Sequence, residues 1–138
     1  GAWRTLLKPK TIETIEYALR ATAHHKNRTL ALLIGYDGRQ ERGEALRSLL
    51  KENPTAPADA KEADHLLRTY SWTGHLPDVD IIVRTGAWED PHLSAAFLSL
   101  LTAESQLCFP PVLWPDFTPE LLRDAIVNFQ KRERRLGK

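Results

Sequence analysis

The run Leu30-Ala31-Leu32-Leu33-Ile34 is apolar without a break. A strand with one wet face alternates apolar and polar residues. A continuous run instead fits a strand buried on both faces, as in a parallel sheet covered by helices. That expectation commits the chain to a layered α/β architecture, and the flanking patterns agree with it. Upstream, Pro9 sits where a first helical turn tolerates a missing N–H. Behind it Ile12, Ile15, Leu19 and Thr22 or Ala23 recur at helical spacing, so residues 10–25 read as an amphipathic helix with Asn27 as its stop. Downstream, the tight Gly35-Tyr36-Asp37-Gly38 segment leads into a helix carrying Ala45, Leu46, Leu49 and Leu50.

The remaining segments continue the alternation. Residues 53–58, Asn-Pro-Thr-Ala-Pro-Ala, read as a loop, and Asp59 caps a helix running to about Arg68. A second strand, Val79 to Val83, ends at Arg84-Thr85-Gly86. Pro91 opens a further helix with Leu93, Phe97, Leu98 and Leu101 on its apolar side, and residues 106–109 suit a third short strand. Thr118 caps a last helix that has Pro119 at its first position and Leu122, Ile126 and Phe129 facing inward. The expected fold is α/β: a parallel sheet flanked by helices, in one domain spanning residues 1–138, without the first strand and helices of a doubly wound domain.

Composition narrows the function classes. Nineteen basic and eighteen acidic residues in 138 give a net charge of +1, which exerts no global pull toward nucleic acid or an anionic membrane. Basic residues cluster at the C-terminus without interleaved aromatics, a solvated helix end rather than a nucleic-acid surface. The lone Cys108 excludes an internal disulfide. No apolar run reaches the length of a membrane span, and no signal-peptide pattern opens the chain. A cytoplasmic location follows as an expectation, with any membrane association arising through a product or partner.

In open parallel sheets, ligands bind beyond the carboxyl ends of the strands. The first strand runs into Gly35-Tyr36-Asp37-Gly38-Arg39-Gln40-Glu41 and the second into Arg84-Thr85-Gly86. Backbone amides at a helix N-terminus, together with a guanidinium, suit a phosphate or diphosphate. A plainer reading has Arg39 and Glu41 as a surface pair and Gly86 as a mere turn, and on spacing alone it has the stronger claim. Other candidates are weaker. His24 and His25 are adjacent on a helix and point in different directions. His65, His75 and His92 lack metal-ligand spacing. Trp72, Trp88 and Trp114 read as core or interface anchors. Ser94 and Ser99 have no nucleophile elbow around them, which leaves a hydrolase unsupported.

Taken together, four segments resemble motifs of the cis-prenyltransferase family, the undecaprenyl diphosphate synthase type. Leu33-Ile-Gly-Tyr-Asp-Gly-Arg-Gln-Glu41 is similar to the family's Tyr-Gly-Gly-Arg-x-Glu. Leu76-Pro-Asp-Val-Asp-Ile-Ile-Val-Arg-Thr-Gly86 is similar to Leu-Pro-Asp-Pro-Asp-Leu-Leu-Ile-Arg-Thr-Ser-Gly. Trp114-Pro-Asp-Phe117 matches a Trp-Pro-Asp-Phe segment, and Arg135-Leu-Gly137 an Arg-x-Gly tail. The four stand in the family's order and cover nearly the whole chain.

The resemblance implies an activity that condenses isopentenyl diphosphate with an allylic diphosphate, with Mg²⁺, through a new cis double bond. It implies that Arg84, Arg135, Gly137 and Ser94 hold substrate diphosphate, the last from a His92-Leu93-Ser94 remnant of the family's Arg-Leu-Ser. It further implies that Arg39, Glu41, Trp114 and Phe117 shape the site or an interface. Two departures qualify this. The family's Met-Asp-Gly-Asn-x-Arg-Trp motif, whose aspartate positions Mg²⁺, is absent from these residues. Gln106-Leu107-Cys108-Phe109 stands where the family has Glu-Leu-x-Phe with a metal-ligating glutamate, and a neutral amide is a poorer Mg²⁺ ligand. Glu104, two residues away, replaces it only if the backbone shifts.

The resemblance therefore implies a chain that is not catalytically complete alone. The expectation is a subunit of a heteromeric enzyme that lends its Arg-x-Gly tail to a partner carrying the Asp-Gly-Asn-x-Arg motif, with Mg²⁺ bound mainly by that partner. The alternatives are one half of a split enzyme and a non-catalytic scaffold that keeps the fold.

Overall fold

In the computed structural model, residues 3–52 and 55–132 are described. Asn53 and Pro54 of the expected loop, and Arg135 and Gly137 of the tail, lie outside the described residues. The chain is an α/β fold, helix-rich, with a small parallel sheet. A single turn α1 (Trp3–Leu6) and helix α2 (Pro9–Thr22) come first, then α3 (Gly38–Glu52) and α4 (Ala60–Tyr70). Strands β1 (Ile81–Val83) and β2 (Gln106–Cys108), a 3-10 turn at Trp114–Asp116 and helix α5 (Pro119–Lys131) complete the order.

The helices begin where their caps dictate. Pro9 stands at the first turn of α2 and Pro119 at that of α5, positions whose N–H would be orphaned in any case. The Asp59 carboxylate accepts from the Glu62 N–H at 2.8 Å, and the Thr118 hydroxyl accepts from Leu121 N–H at 3.4 Å. Glu62 reaches back to the Ala58 N–H at 2.6 Å, which settles another donor at the same helix end. Along α3 the buried residues Gly38, Glu41, Ala45 and Leu49 recur at three- and four-residue steps, one stripe of the helix, and α3 packs on α4. Burial of Leu49 alone contributes about 2 kcal/mol.

β1 and β2 pair in parallel, with Ile81 opposite Gln106, Ile82 opposite Leu107 and Val83 opposite Cys108. The ladder extends past its ends: Gln106 N–H donates to Asp80 O, and Arg84 N–H to Cys108 O, both at 2.9 Å. Arg68, from the last turn of α4, locks the approach to β1. Its guanidinium donates to Asp78 Oδ1 at 2.7 Å, to Leu76 O at 2.9 Å and to Gly74 O at 3.4 Å. Asp78, inside the motif-like Leu76-Pro77-Asp78, is thus engaged with Arg68.

Two expected elements are not formed. Leu30–Ile34 forms no strand and bends at Ile34, and no backbone hydrogen bond among the described residues reaches it. Leu30 is 84% and Leu32 67% exposed, not buried on two faces. Apolar sequence supplies the preference for extended backbone, but a strand also needs a neighbour to take its N–H and C=O groups, and among the described residues β1 pairs only with β2. The helix expected from Pro91 is replaced by turns over residues 95–101. Ala95, Ala96 and Leu98 have φ of 52°, 49° and 45°, a left-handed backbone incompatible with a right-handed helix. The helix expected over residues 10–25 ends earlier, at Thr22.

Candidate functional site

A cleft of about 420 Å³ opens at the carboxyl end of β1. It is lined by Ile82, Val83, Arg84 and Thr85 from β1 and its end, by Leu33 and Tyr36 ahead of α3, and by Leu93, Ser94, Ala95 and Phe97. The strand's end places Arg84 here because its backbone still belongs to the ladder, while Gly86, at φ 72°, turns the chain away with its N–H on Val112 O at 2.9 Å. The cleft therefore combines apolar side chains with the Arg84 guanidinium and the hydroxyl-bearing Tyr36, Thr85 and Ser94.

Arg84 is engaged in this structure. Its Nη1 donates to the His92 carbonyl, and its Nη2 lies 3.3 Å from His92 Nε2. His92 Nδ1 in turn lies 2.6 Å from the Asp90 carbonyl and 3.2 Å from Asp90 Oδ2.

A buried network holds the opposite wall. Glu41, only 2% exposed, accepts from the Thr73 N–H and hydroxyl at 2.7 Å each through Oε1. Its Oε2 accepts from the Tyr36 hydroxyl at 2.5 Å. The Tyr36 oxygen in turn accepts from the Leu98 N–H at 3.1 Å, and its ring meets Phe97 edge-on at 6.2 Å. Burial, and then the bond to the Glu41 carboxylate, push the Tyr36 phenol well above the ordinary tyrosine range. Gly38 lets the two sides close up: its N–H donates to Ala95 O at 2.9 Å, and a Cβ there would lie 2.0 Å from Ala96 O.

The cleft thus brings together two of the residues singled out from sequence, Arg84 and Ser94. Glu41 stands behind the wall, without an ion pair to Arg39, whose side chain is exposed. Trp114, 74% exposed, stacks on Phe117 at 6.1 Å and is no core anchor. Tyr36, Thr73 and the contact of His92 with Arg84 carried no sequence signal of a role beyond Tyr36's place in a motif-like segment.

The implied Mg²⁺ finds no donor set here. Among the described residues, no group of three His, Cys, Asp or Glu side chains converges. Gln106 Oε1 is sealed from solvent with no hydrogen-bond partner, a neutral oxygen beside the sheet rather than a carboxylate at the cleft. The described residues do not fit the metal.

Comparison with known proteins decides the family. Residues 2–137 match the undecaprenyl diphosphate synthase family. The chain belongs to it. This member of the cis-prenyltransferases is 40% identical over 134 residues to a tritrans,polycis-undecaprenyl-diphosphate synthase (geranylgeranyl-diphosphate specific) of Methanopyrus kandleri, covering 96% of this chain and 48% of that protein. It is 34% identical over 125 residues to an isoprenyl transferase of Helicobacter pylori, covering 91% of this chain and 52% of the other. Lavandulyl diphosphate synthase from Lavandula x intermedia, solved with dimethylallyl diphosphate, shares the fold at a TM-score of 0.81 and 24% identity, over 98% of this chain and 57% of that one. The chain therefore spans about half the length of the curated relatives it matches. No helix among the described residues is long and apolar enough to cross a membrane.

Proposed function

We propose that this chain forms the isopentenyl diphosphate side of a cis-prenyltransferase active site, as a subunit of a heteromeric enzyme that condenses isopentenyl diphosphate with an allylic diphosphate. The observation that carries the reading is Arg84, held by the ladder at the carboxyl end of β1 and lining the cleft. A guanidinium offers paired donors that match phosphate oxygens, and Ser94, which lines the same cleft, brings a hydroxyl. The apolar lining residues Leu33, Ile82 and Phe97 suit the hydrocarbon part of the substrate.

Gln106 supports the heteromeric reading. With an amide where the family's metal-ligating glutamate stands, Mg²⁺ and the allylic diphosphate fall to a polypeptide carrying the Asp-Gly-Asn-x-Arg motif. Arg135 and Gly137 would reach into that partner's site, where a glycine allows a backbone N–H to approach a diphosphate closely. Arg39, Trp114 and Phe117 would lie toward the partner, and Glu41 would shape the site from behind. We place the assembly in the cytoplasm, meeting the membrane through its product or partner.

Calorimetric titration with isopentenyl diphosphate tests the reading. The chain binds it, and Arg84→Ala weakens binding by about tenfold or more, the loss of a bidentate charge-assisted contact. Absence of binding, with and without the partner, would leave only a scaffold that keeps the fold.

A further inference from the structure

Two rings line the cleft and meet each other. Tyr36 and Phe97 are both half-buried, and they stand edge to face with 6.2 Å between centroids. One hydroxyl fixes the spacing between them. The Tyr36 O–H donates to Glu41 Oε2, so its one proton is already taken, and its oxygen accepts from the N–H of Leu98, the residue after Phe97. What Tyr36 offers a ligand is therefore its ring. The Phe97 backbone is held on other sides too: its N–H donates to Ser94 O at 3.1 Å, and its carbonyl accepts from the Thr102 hydroxyl at 3.3 Å. Left-handed Ala96 and Leu98 flank it, so these contacts set its path in place of a helix. The ring pair has little room to give, and a packed site that cannot yield resists added volume.

We propose that Phe97 sets how large a hydrocarbon the cleft accepts, and that Tyr36 is its positioning residue. The inference rests on the reading of the cleft as the isopentenyl diphosphate site and adds a size limit to it. The class admitted is a short, branched diphosphate ester, its hydrocarbon against the two rings, with Leu33 and Ile82 completing the apolar lining. One more methylene on the branch has to displace the Phe97 ring, and with it the contact to Tyr36 or the bond between Tyr36 and Leu98. A hydrophobic pocket separates ligands that differ by one methylene by about tenfold or more. Tyr36 acts on this selectivity through Phe97. Removing its hydroxyl keeps both rings but unties the backbone beside Phe97, and the wall then yields.

The test compares calorimetric affinities for three probes: isopentenyl diphosphate, its homologue with an ethyl group in place of the methyl branch, and inorganic diphosphate, which has no hydrocarbon. Each is titrated into the wild-type chain, Phe97→Ala, Phe97→Leu and Tyr36→Phe. Inorganic diphosphate reports any loss of the anion contacts common to all three, so a merely structural defect leaves the ratio between the two esters where it was. Wild type is expected to favour isopentenyl diphosphate over the ethyl homologue by about tenfold or more. Both Phe97 variants should bring that ratio to about one or reverse it, and Tyr36→Phe should give an intermediate ratio. Phe97→Leu keeps apolar bulk and carries the test if Phe97→Ala unfolds, as circular dichroism would show. A wild-type ratio near one, or an unchanged ratio in the Phe97 variants, overturns the size limit, while binding of isopentenyl diphosphate leaves the site itself standing. A ratio lost in the Phe97 variants and kept in Tyr36→Phe overturns the positioning role of Tyr36. No binding of isopentenyl diphosphate by any form, alone or with the partner, overturns the site and its size limit together.

Discussion

The Tyr36 hydroxyl donates to Glu41 Oε2 at 2.5 Å while its oxygen accepts the Leu98 N–H at 3.1 Å, so one phenol joins helix α3 to the wall of the cleft. The segment it holds contains three left-handed residues and has no helix or strand of its own. This bond and the Gly38 N–H to Ala95 O both tie it to α3, while Leu101 O accepts the Val79 N–H at 2.8 Å.

The raised Tyr36 value has a definite sign. The folded chain holds that proton more tightly than the unfolded chain does. The stabilisation is therefore complete below the ordinary tyrosine value, about 10, and is lost as pH climbs above it toward the folded value. Ultraviolet titration should show that one of the three tyrosines fails to ionise until the chain unfolds. Tyr36→Phe should remove that alkaline dependence. Equal ionisation of all three in the folded chain would contradict the network.

Glu41→Ala should destabilise by about 3 kcal/mol, because the buried Thr73 N–H and the Tyr36 hydroxyl both lose a charged acceptor. Glu41→Gln should cost less but still be measurable, since one of its two ends now carries donors facing a donor. Urea unfolding measures both. A neutral Glu41→Ala would mean that the network contributes nothing to the fold.

Gly38→Ala probes the other support. The new methyl would meet Ala96 O at 2.0 Å, a backbone atom with no side-chain freedom to yield. The expected cost is about 1–3 kcal/mol, together with weaker isopentenyl diphosphate binding as the wall shifts. Unchanged stability would contradict the close approach.

How far the sequence foretold this arrangement differs by element. The caps at Asp59 and Thr118 and the prolines at the first turns of α2 and α5 are local signals, and those helices begin there. Leu30–Ile34 was misread because an apolar run records a preference for burial, whereas a strand exists only where another strand bonds to it. The 95–101 segment has a helical apolar pattern, yet its backbone is decided by contacts with Gly38 and Tyr36, some sixty residues away in sequence (Leu98 to Tyr36 spans 62). Arg84 and Ser94 were visible as motif-like residues. The Glu41–Thr73 bond spans 32 residues and the Arg84–His92 contact depends on a loop's path, so neither leaves a periodic trace.

Gln106 offers a test of the metal assignment. Its Oε1 is buried without a partner, so Gln106→Glu would place an uncompensated carboxylate there and destabilise by about 3 kcal/mol at neutral pH. Burial raises such a carboxyl's folded value, so the wild-type-like stability is retained below about pH 4.3 and lost as pH rises. Added Mg²⁺ should not restore it. Recovery with Mg²⁺ would show a metal site that the described residues do not provide.

The most direct test is turnover in a reconstituted assembly, following labelled isopentenyl diphosphate into solvent-extractable polyprenyl product. Product is expected when the chain is combined with a polypeptide bearing the Asp-Gly-Asn-x-Arg motif, and it should fall sharply with Arg84→Ala or Arg135→Ala in this chain. Turnover that is the same with either substitution, or with this chain left out, would contradict the account.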